Sequence, residues 1–189
     1  MKNVNRLFIG IDPGMAGAIA VRYGSQMLLY DIPTKDTTTV SGNNRKSQTD
    51  IDIDGLVRIL DSLKEFRSRF NSPEAIVVCE HSAGMAFTSN AVREAHFDNS
   101  KTAWKKGYNF GVIRALFHVN GLEFAYTPRP GDWKRKLGLT DSSLSYGEKK
   151  EMARLEAIRL FPAMEQHLRR KKDSDRAEAL LLTVWAEWR

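Results

Sequence analysis

The sequence has almost no cysteine and no long apolar segment, and both shortages narrow what the protein can be. Cys79 is the only cysteine among 189 residues, so no internal disulfide can form. No apolar run approaches the ~20 residues that a membrane-spanning helix needs, and residues 1–6 lack the apolar segment of a signal peptide. We therefore expect a cytoplasmic protein without membrane partners. The apolar run 75–79 indicates that Cys79 is a small buried side chain.

Acidic residues are outnumbered by basic ones. The chain has 23 Asp and Glu against 29 Lys and Arg, a net charge of +6, and its isoelectric point is near 9.5. Such a balance favours a polyanionic partner, most commonly a phosphate backbone. A solvated surface would explain any one basic cluster equally well. The clusters are Lys101, Lys105 and Lys106; Lys134, Arg135 and Lys136; and residues 169–172.

The hydrophobic pattern predicts an α/β protein that forms one domain over residues 1–189. The predicted strands are 7–11, 17–21, 26–32, 75–79 and 122–126. The predicted helices are 56–70, 102–119, 148–161 and a buried stripe running from Ala177 to Trp188, with a short helix or turn at 130–138. A meander of three strands followed by alternating strands and helices implies a mixed sheet flanked by helices. The polar segment 34–50 is predicted to be a long connection, either functional or mobile.

Two acidic residues follow predicted buried strands. Asp12 ends the first strand at a Pro-Gly turn, and Glu80 ends the strand 75–79. A carboxylate at the end of a buried strand is costly unless it is paired or bound to a metal. Ordinary roles remain open, because Asp12 suits a turn that bonds nearby backbone and Glu80 suits an exposed strand end.

Three more acids, Asp173, Asp175 and Glu178, open the last helix. Asp175 and Glu178 are three residues apart, which fits either one helical face or a capping box. If these acids met the strand-end acids, their repulsion would call for cations. An all-oxygen ligand set suits Mg²⁺ or Mn²⁺, and two such ions can promote hydrolysis of a phosphodiester.

Several segments, taken in order, resemble the RuvC-type Holliday-junction resolvases, especially their phage-type branch. The resemblance covers nearly the whole chain, through segments 9–14 with 17–18, 77–80, 127–128, 133–139, 149–162 and 172–181. It implies a ribonuclease-H-like, five-stranded mixed sheet. It also implies a homodimer that binds a four-way junction in branched DNA and nicks two opposed strands symmetrically, in a bacterium or a phage-infected host cell.

The resemblance also implies an active site that holds two Mg²⁺ or Mn²⁺ ions. Their ligands would be Asp12, Glu80, Glu178 and either Asp175, which fits a D-x-x-D/E spacing, or Asp173, which fits a Lys-Asp dipeptide. Lys134 and Lys150 match basic positions near the scissile phosphate, and Lys150 is expected to take part in catalysis by steadying negative charge. Both would otherwise lie on solvated helix faces. The residues expected to bind DNA are Lys105, Lys106, Lys134, Arg135, Lys136, Lys149, Lys150 and Phe87.

The chain departs from the family pattern at two positions. Ala83 stands where many relatives carry a stacking aromatic residue, so we expect Phe87 either to stack on an unpaired base or to pack in the core. Ser174 stands where relatives often have histidine. His81 lies beside Glu80, although a lone histidine is more often structural.

Three other functions are compatible with parts of the sequence. A nuclease of RNA or of non-junction branched DNA would use the same acids. The segment 9–14 also resembles the first phosphate loop of the actin, Hsp70 and sugar-kinase group, but the second Asp-Gly motif of that group is missing. A non-catalytic junction-binding protein would be expected to have lost acids that this chain retains.

Overall fold

A computed structural model describes residues 5–41, 44–82 and 100–189. The strands are β1 (Arg6–Asp12), β2 (Ala18–Tyr23), β3 (Gln26–Asp31), β4 (Thr34–Ser41), β5 (Asn44–Ile51), β6 (Glu74–Cys79) and β7 (Phe124–Tyr126). The helices are α1 (Ile53–Ser68), α2 (Ser100–Val119), α3 (Pro130–Lys136), α4 (Tyr146–Leu160) and α5 (Ser174–Glu187), with 3₁₀ segments at Pro162–Leu168 and Lys171–Asp173.

Five strands form one mixed sheet in the order β3-β2-β1-β6-β7. The first three strands are antiparallel neighbours, which confirms the predicted meander. Strands β6 and β7 run parallel to β1 and to each other. The predicted α/β class and mixed five-stranded sheet are therefore confirmed, and each predicted helix is present with its ends shifted by a few residues.

Alternating side chains of β1 divide the core between the two faces of the sheet. Leu7, Ile9 and Ile11 belong to a cluster that includes residues of α1 and α2. Phe8 points the other way, into a cluster with residues of α4 and α5. This alternation follows from the two-residue period of a strand. It determines on which face of the sheet each side chain at the end of β1 lies.

Helix α5 is buried on all sides rather than along one stripe. Every residue from Ala177 to Ala186 is buried, whereas Trp188, predicted to continue the stripe, is 55% exposed. The helix lies directly on β1, because a Cβ at Gly10 would overlap the carbonyl oxygen of Ala179. A side chain at that position would force the helix and the strand apart.

Two ion pairs hold the ends of α5 against the meander. Near its start, the Arg176 guanidinium donates to both carboxylate oxygens of Asp31, each at 2.6 Å. Near its end, Arg22 Nη2 lies 2.6 Å from Glu187 Oε2. The side chain of Arg22 is only 11% exposed, so this second pair is shielded from solvent.

The segment 34–50 is not the long connection that its polarity predicted. It forms an antiparallel hairpin of β4 and β5, in which Thr34 pairs with Ile51 and Ser41 with Asn44. The prediction failed because it relied on alternating hydrophobicity, which arises only where one face of a strand is buried. The run of threonines and valine at 37–40 carries the remaining signal, a preference for extended backbone.

Three smaller expectations concern the rest of the chain. Cys79 is fully buried, as predicted. No helix within the described ranges is long and apolar enough to cross a membrane. Ala83 and Phe87 lie outside the described residues.

The contact between β1 and α5 can be tested with Gly10→Ala. The added methyl group must displace helix backbone, so we expect the free energy of unfolding to fall by about 3 kcal/mol, at the upper end of usual overpacking costs. Chemical denaturation would measure the change. Gly107→Ala on the exposed side of α2, where nothing lies within 4 Å of the new Cβ, should instead stabilise the helix by up to about 1 kcal/mol.

Candidate active site

Asp12 and Glu80 lie side by side at the carboxyl ends of two adjacent parallel strands. Ile11 of β1 pairs with Cys79 of β6, and the Glu80 backbone N–H donates to the Ile11 carbonyl oxygen at 2.9 Å. Because side chains alternate along each strand, both acids share the face of the sheet on which α5 lies. The pairing therefore brings together the two strand-end carboxylates that the sequence singled out.

The start of α5 adds Asp175 and Glu178 to this place. The charges of Glu80, Glu178 and Asp175 all act on Asp12, so the four side chains form one group, which we call the acid cluster. Glu178 is only 5% exposed. The capping-box interpretation of Asp175 and Glu178 is wrong, because the residue before the first turn of α5 is Asp173.

Burial and mutual repulsion make two members of the acid cluster weak acids. Burial, and then the charges of Glu80, Glu178 and Asp175, raise the pKa of Asp12 to about 8, against one opposing hydrogen bond from the Gly14 backbone. Burial and Glu178 raise the pKa of Glu80 to about 7, although Lys134 and Trp133 oppose the shift. Strongly shifted carboxyl groups of this kind are typical of functional sites.

Two lysines reach into the acid cluster from neighbouring helices. Lys134 Nζ of α3 lies 2.8 Å from Glu178 Oε1, and Lys150 Nζ of α4 lies 2.5 Å from Asp175 Oδ1. Both lysine side chains are less than a third exposed, so the alternative of solvated helix faces is wrong. Burial opposes the charged form of Lys150, but the hydrogen bond and charge of Asp175 outweigh it and raise its pKa above the usual range.

Trp133 is a site residue that the sequence did not reveal. Its indole Nε1–H donates to Glu80 Oε2 at 2.7 Å, and its ring is completely buried. In a short helix, a tryptophan followed by a lysine is typical of one core residue and one surface residue. Only the tertiary structure shows that Trp133 and Lys134 contact two different acids. Helix α3 thereby connects the end of β6 to the start of α5.

Asp173, the alternative to Asp175, lies in a different environment. Its carboxylate accepts from the Arg170 guanidinium at 2.7 Å and from the Arg170 backbone N–H at 2.8 Å. These contacts with Arg170 hold its pKa below the usual range. The structure thus gives Asp173 a role in fixing the turn before α5, and it brings Asp175 to the other acids.

The remaining predicted DNA-binding residues spread over two helices besides α3. Lys105 and Lys106 lie on α2, and Lys149 lies beside Lys150 on α4. Lys136 Nζ donates to the backbone carbonyl of Trp188 at 3.2 Å, whereas Arg135 is exposed, with a loose contact of 3.9 Å to Asp132. His81 contributes its backbone N–H to the Pro128 carbonyl, and its ring lies 6.2 Å from that of Phe110.

The donor set of the acid cluster fits a hard divalent cation. Its four carboxylates offer only oxygen, which Mg²⁺ and Mn²⁺ prefer. Burial, and then the neighbouring carboxylates, raise the pKa values of Asp12 and Glu80, and a bound cation would oppose both effects. In the described ranges no three acidic, histidine or cysteine side chains already converge on one point. The two acids of α5 are directed to lysine ammonium groups instead.

Comparisons of the chain with protein families and with curated proteins found no similar protein. No family model matches the chain, and no curated protein matches it at a significant level. The acid cluster, its two lysines and the sheet that positions them are therefore the basis for any assignment.

The raised pKa values predict how stability depends on pH without divalent metal. In the unfolded chain, Asp12 and Glu80 lose their protons near pH 4, while the folded protein keeps them until about pH 7 to 8. The folded state therefore binds more protons across this window, and the free energy of unfolding falls as pH rises through it. Denaturation in EDTA at a series of pH values would measure the slope.

Two substitutions separate the acid cluster from the background titration. Asp12→Asn removes one of the repelling charges, so its stability should fall less between pH 4 and 8 than that of the wild type. Glu165→Gln changes an exposed acid in the segment Pro162–Leu168 and should keep the wild-type slope. Equal slopes in all three proteins would show that the pKa of Asp12 is not raised in the folded protein.

Proposed function

We propose that the protein is a metal-dependent endonuclease that resolves four-way DNA junctions. The observation that carries this proposal is that four electrostatically interacting carboxylates, two of them paired with lysines, lie where two parallel strands end beneath a buried helix. A carboxylate cluster of this composition suits phosphodiester hydrolysis with divalent ions. The net positive charge of the chain suits a DNA substrate.

The strand arrangement supports a ribonuclease-H-like fold. An antiparallel meander continues into two parallel strands, with acids at the ends of the first strand and the first parallel partner. A helix that begins with further acids lies across the same face. This is the arrangement implied by the sequence resemblance to RuvC-type resolvases, although the β4–β5 hairpin was not part of that expectation.

Each member of the site has a role that its contacts support. Asp12, Glu80, Asp175 and Glu178 would hold the divalent ions, which when bound activate a water molecule and stabilise the leaving oxygen. Trp133 orients Glu80 through its 2.7 Å hydrogen bond, and the Gly14 backbone orients Asp12 at 3.1 Å. Lys134 and Lys150 lie beside these acids, where their ammonium groups can stabilise negative charge on the phosphate.

The symmetry of a four-way junction requires two such sites. The described part of one chain has one acid cluster, and paired nicks on opposed strands therefore call for a homodimer whose two-fold axis matches that of the junction. Light scattering of the protein alone and with junction DNA would measure this assembly. A nuclease of the same fold that acts on other branched DNA or on RNA would use the same site, so the choice of substrate decides between them.

A cleavage assay tests the proposed function directly. End-labelled four-way junction, three-way junction, plain duplex and RNA–DNA hybrid would each be incubated with Mg²⁺, Mn²⁺ or EDTA. We expect paired symmetric nicks in the four-way junction, and none in EDTA. Asp12→Asn should lower the cleavage rate by more than about 100-fold, since even indirect disturbance of metal ligands costs roughly 10–100-fold, while junction binding is retained.

The other substrates give the assay its power to reject the proposal. Equal cutting of the three-way junction would indicate a general debranching nuclease, and cutting of the hybrid alone would indicate a ribonuclease. If nothing is cut while the junction is bound, the protein is a binding protein. Loss of both binding and cutting in Asp12→Asn would mean that this variant is misfolded.

Asp175→Asn and Asp173→Asn form a matched pair that tests the fourth acid. We expect Asp175→Asn to abolish cleavage, because Asp175 belongs to the acid cluster. Asp173→Asn should keep metal-dependent cleavage but lower the free energy of unfolding by about 2 kcal/mol, since it weakens charged hydrogen bonds to Arg170. Cleavage would be compared at a temperature where both variants are folded, and the reverse pattern would assign the ligand to Asp173.

A further inference from the structure

The β4–β5 hairpin is a separate structural unit attached to the main sheet. Its strands pair with each other and, within the described ranges, with no strand of the five-stranded sheet. Both of its edges therefore carry backbone groups that are free of strand partners, a feature that proteins normally cover or use. Val40, in the outer half of the hairpin, is 67% exposed.

The base of the hairpin is fixed to the body of the protein. Ile51, its last residue, is 3% exposed and belongs to the core beneath α1 and α2. The Asp52 backbone N–H donates to the Pro33 carbonyl at 2.9 Å, closing the base. From α2, the Lys105 ammonium donates to the Thr49 carbonyl and lies 4.0 Å from Asp50. The outer half of the hairpin therefore extends from a base that is fixed beside α2.

Charge is distributed unevenly along the hairpin. Both of its acids lie near the base and are bonded within it, Asp50 to the Thr37 hydroxyl at 2.5 Å and Asp36 to the Thr49 hydroxyl at 2.9 Å. The outer part, 37–48, contains no acid and two cations, Arg45 and Lys46, among threonine, serine, asparagine and glutamine. Such a surface offers positive charge and many hydrogen-bond donors.

Helix α2 continues this surface from the base of the hairpin. Its 20 residues include no acid, and its cations are Lys101, Lys105, Lys106 and Arg114. Two exposed aromatic residues flank Lys105: Trp104 and Tyr108 are 67% and 43% exposed and stack with ring centroids 5.3 Å apart. Cations next to exposed aromatic rings are typical of nucleic-acid-binding surfaces.

We propose that the β4–β5 hairpin is a DNA-binding arm, which with the cations near the start of α2 holds the phosphate backbone of a duplex arm of the substrate. This inference rests on the proposed function, which makes DNA the substrate. A two-stranded ribbon fits a groove of B-form DNA. A second copy of the chain is the less favourable partner, because its hairpin would bring the same positive charge.

A binding experiment without divalent metal tests the arm separately from catalysis. Fluorescence anisotropy in EDTA would follow a labelled plain duplex and a labelled four-way junction over a range of salt concentrations. The variant combines Arg45→Gln with Lys46→Gln. The control combines Lys64→Gln with Arg69→Gln, which also removes two exposed cations but near the far end of α1, roughly 16 Å from its first residue at 1.5 Å per residue.

We expect the hairpin variant to bind both DNAs about tenfold more weakly at low salt. Its slope of log affinity against log salt should be shallower by up to about 1.8, because each lost phosphate contact contributes about 0.9. The control should bind like the wild type, and exchanging the two cations as Arg45→Lys with Lys46→Arg should restore binding.

Several outcomes would reject the proposal that the hairpin is a DNA-binding arm. They can be distinguished from outcomes that reject the proposed nuclease activity. Unchanged affinity and salt slope in the hairpin variant would reject the arm, as would a wild-type protein that binds no DNA. A fall in molecular mass by light scattering with an unchanged salt slope would assign the hairpin to a subunit contact. If the wild type cuts nothing but binds duplex with a hairpin-dependent slope, the arm stands and the nuclease proposal fails.

Discussion

The close approach of α5 to β1 is the constraint on which the candidate site depends. Gly10 leaves no side chain between the strand and the helix, so helix backbone lies against the sheet two residues before Asp12. The start of α5 is consequently held over the carboxyl ends of β1 and β6. Arg176 and Arg22 fix its two ends to the meander. The helix acids thus have little freedom to move away from the strand acids.

This packing brings together charges that repel one another, and the protein offsets the repulsion locally. Burial, and then this repulsion, raise the pKa values of Asp12 and Glu80. Lys134 and Lys150 neutralise the helix acids, and Trp133 satisfies one oxygen of Glu80. A group of residues selected for folding alone would not assemble four carboxylates on one buried edge. Such local instability is what a binding or catalytic site commonly requires.

The sequence predicted most of the sheet, because buried strands and amphipathic helices leave a periodic pattern of apolar residues. It also singled out Asp12 and Glu80, since a carboxylate directly after an apolar strand is unusual enough to notice, and it left the fourth acid open between two residues at the start of the last helix. The β4–β5 hairpin left no such pattern, as neither of its faces is buried along its length. The partners of the acids were beyond reach for another reason. The contact between Trp133 and Glu80 spans 53 positions of the chain, and nothing local to either residue records it. The choice between Asp173 and Asp175 likewise depends on tertiary structure, because the turn before α5 directs Asp173 to Arg170 and Asp175 to the acid cluster.

The pairing of each helix acid with a lysine has a thermodynamic consequence. A phosphate that binds Lys134 and Lys150 would draw their ammonium groups away from Glu178 and Asp175, and would leave those carboxylates free to bind a cation. DNA and metal would then each strengthen the binding of the other, by an equal factor as linkage requires. In the absence of substrate the protein would hold its ions weakly. A nuclease with this property would become fully loaded only on the DNA that it is about to cut.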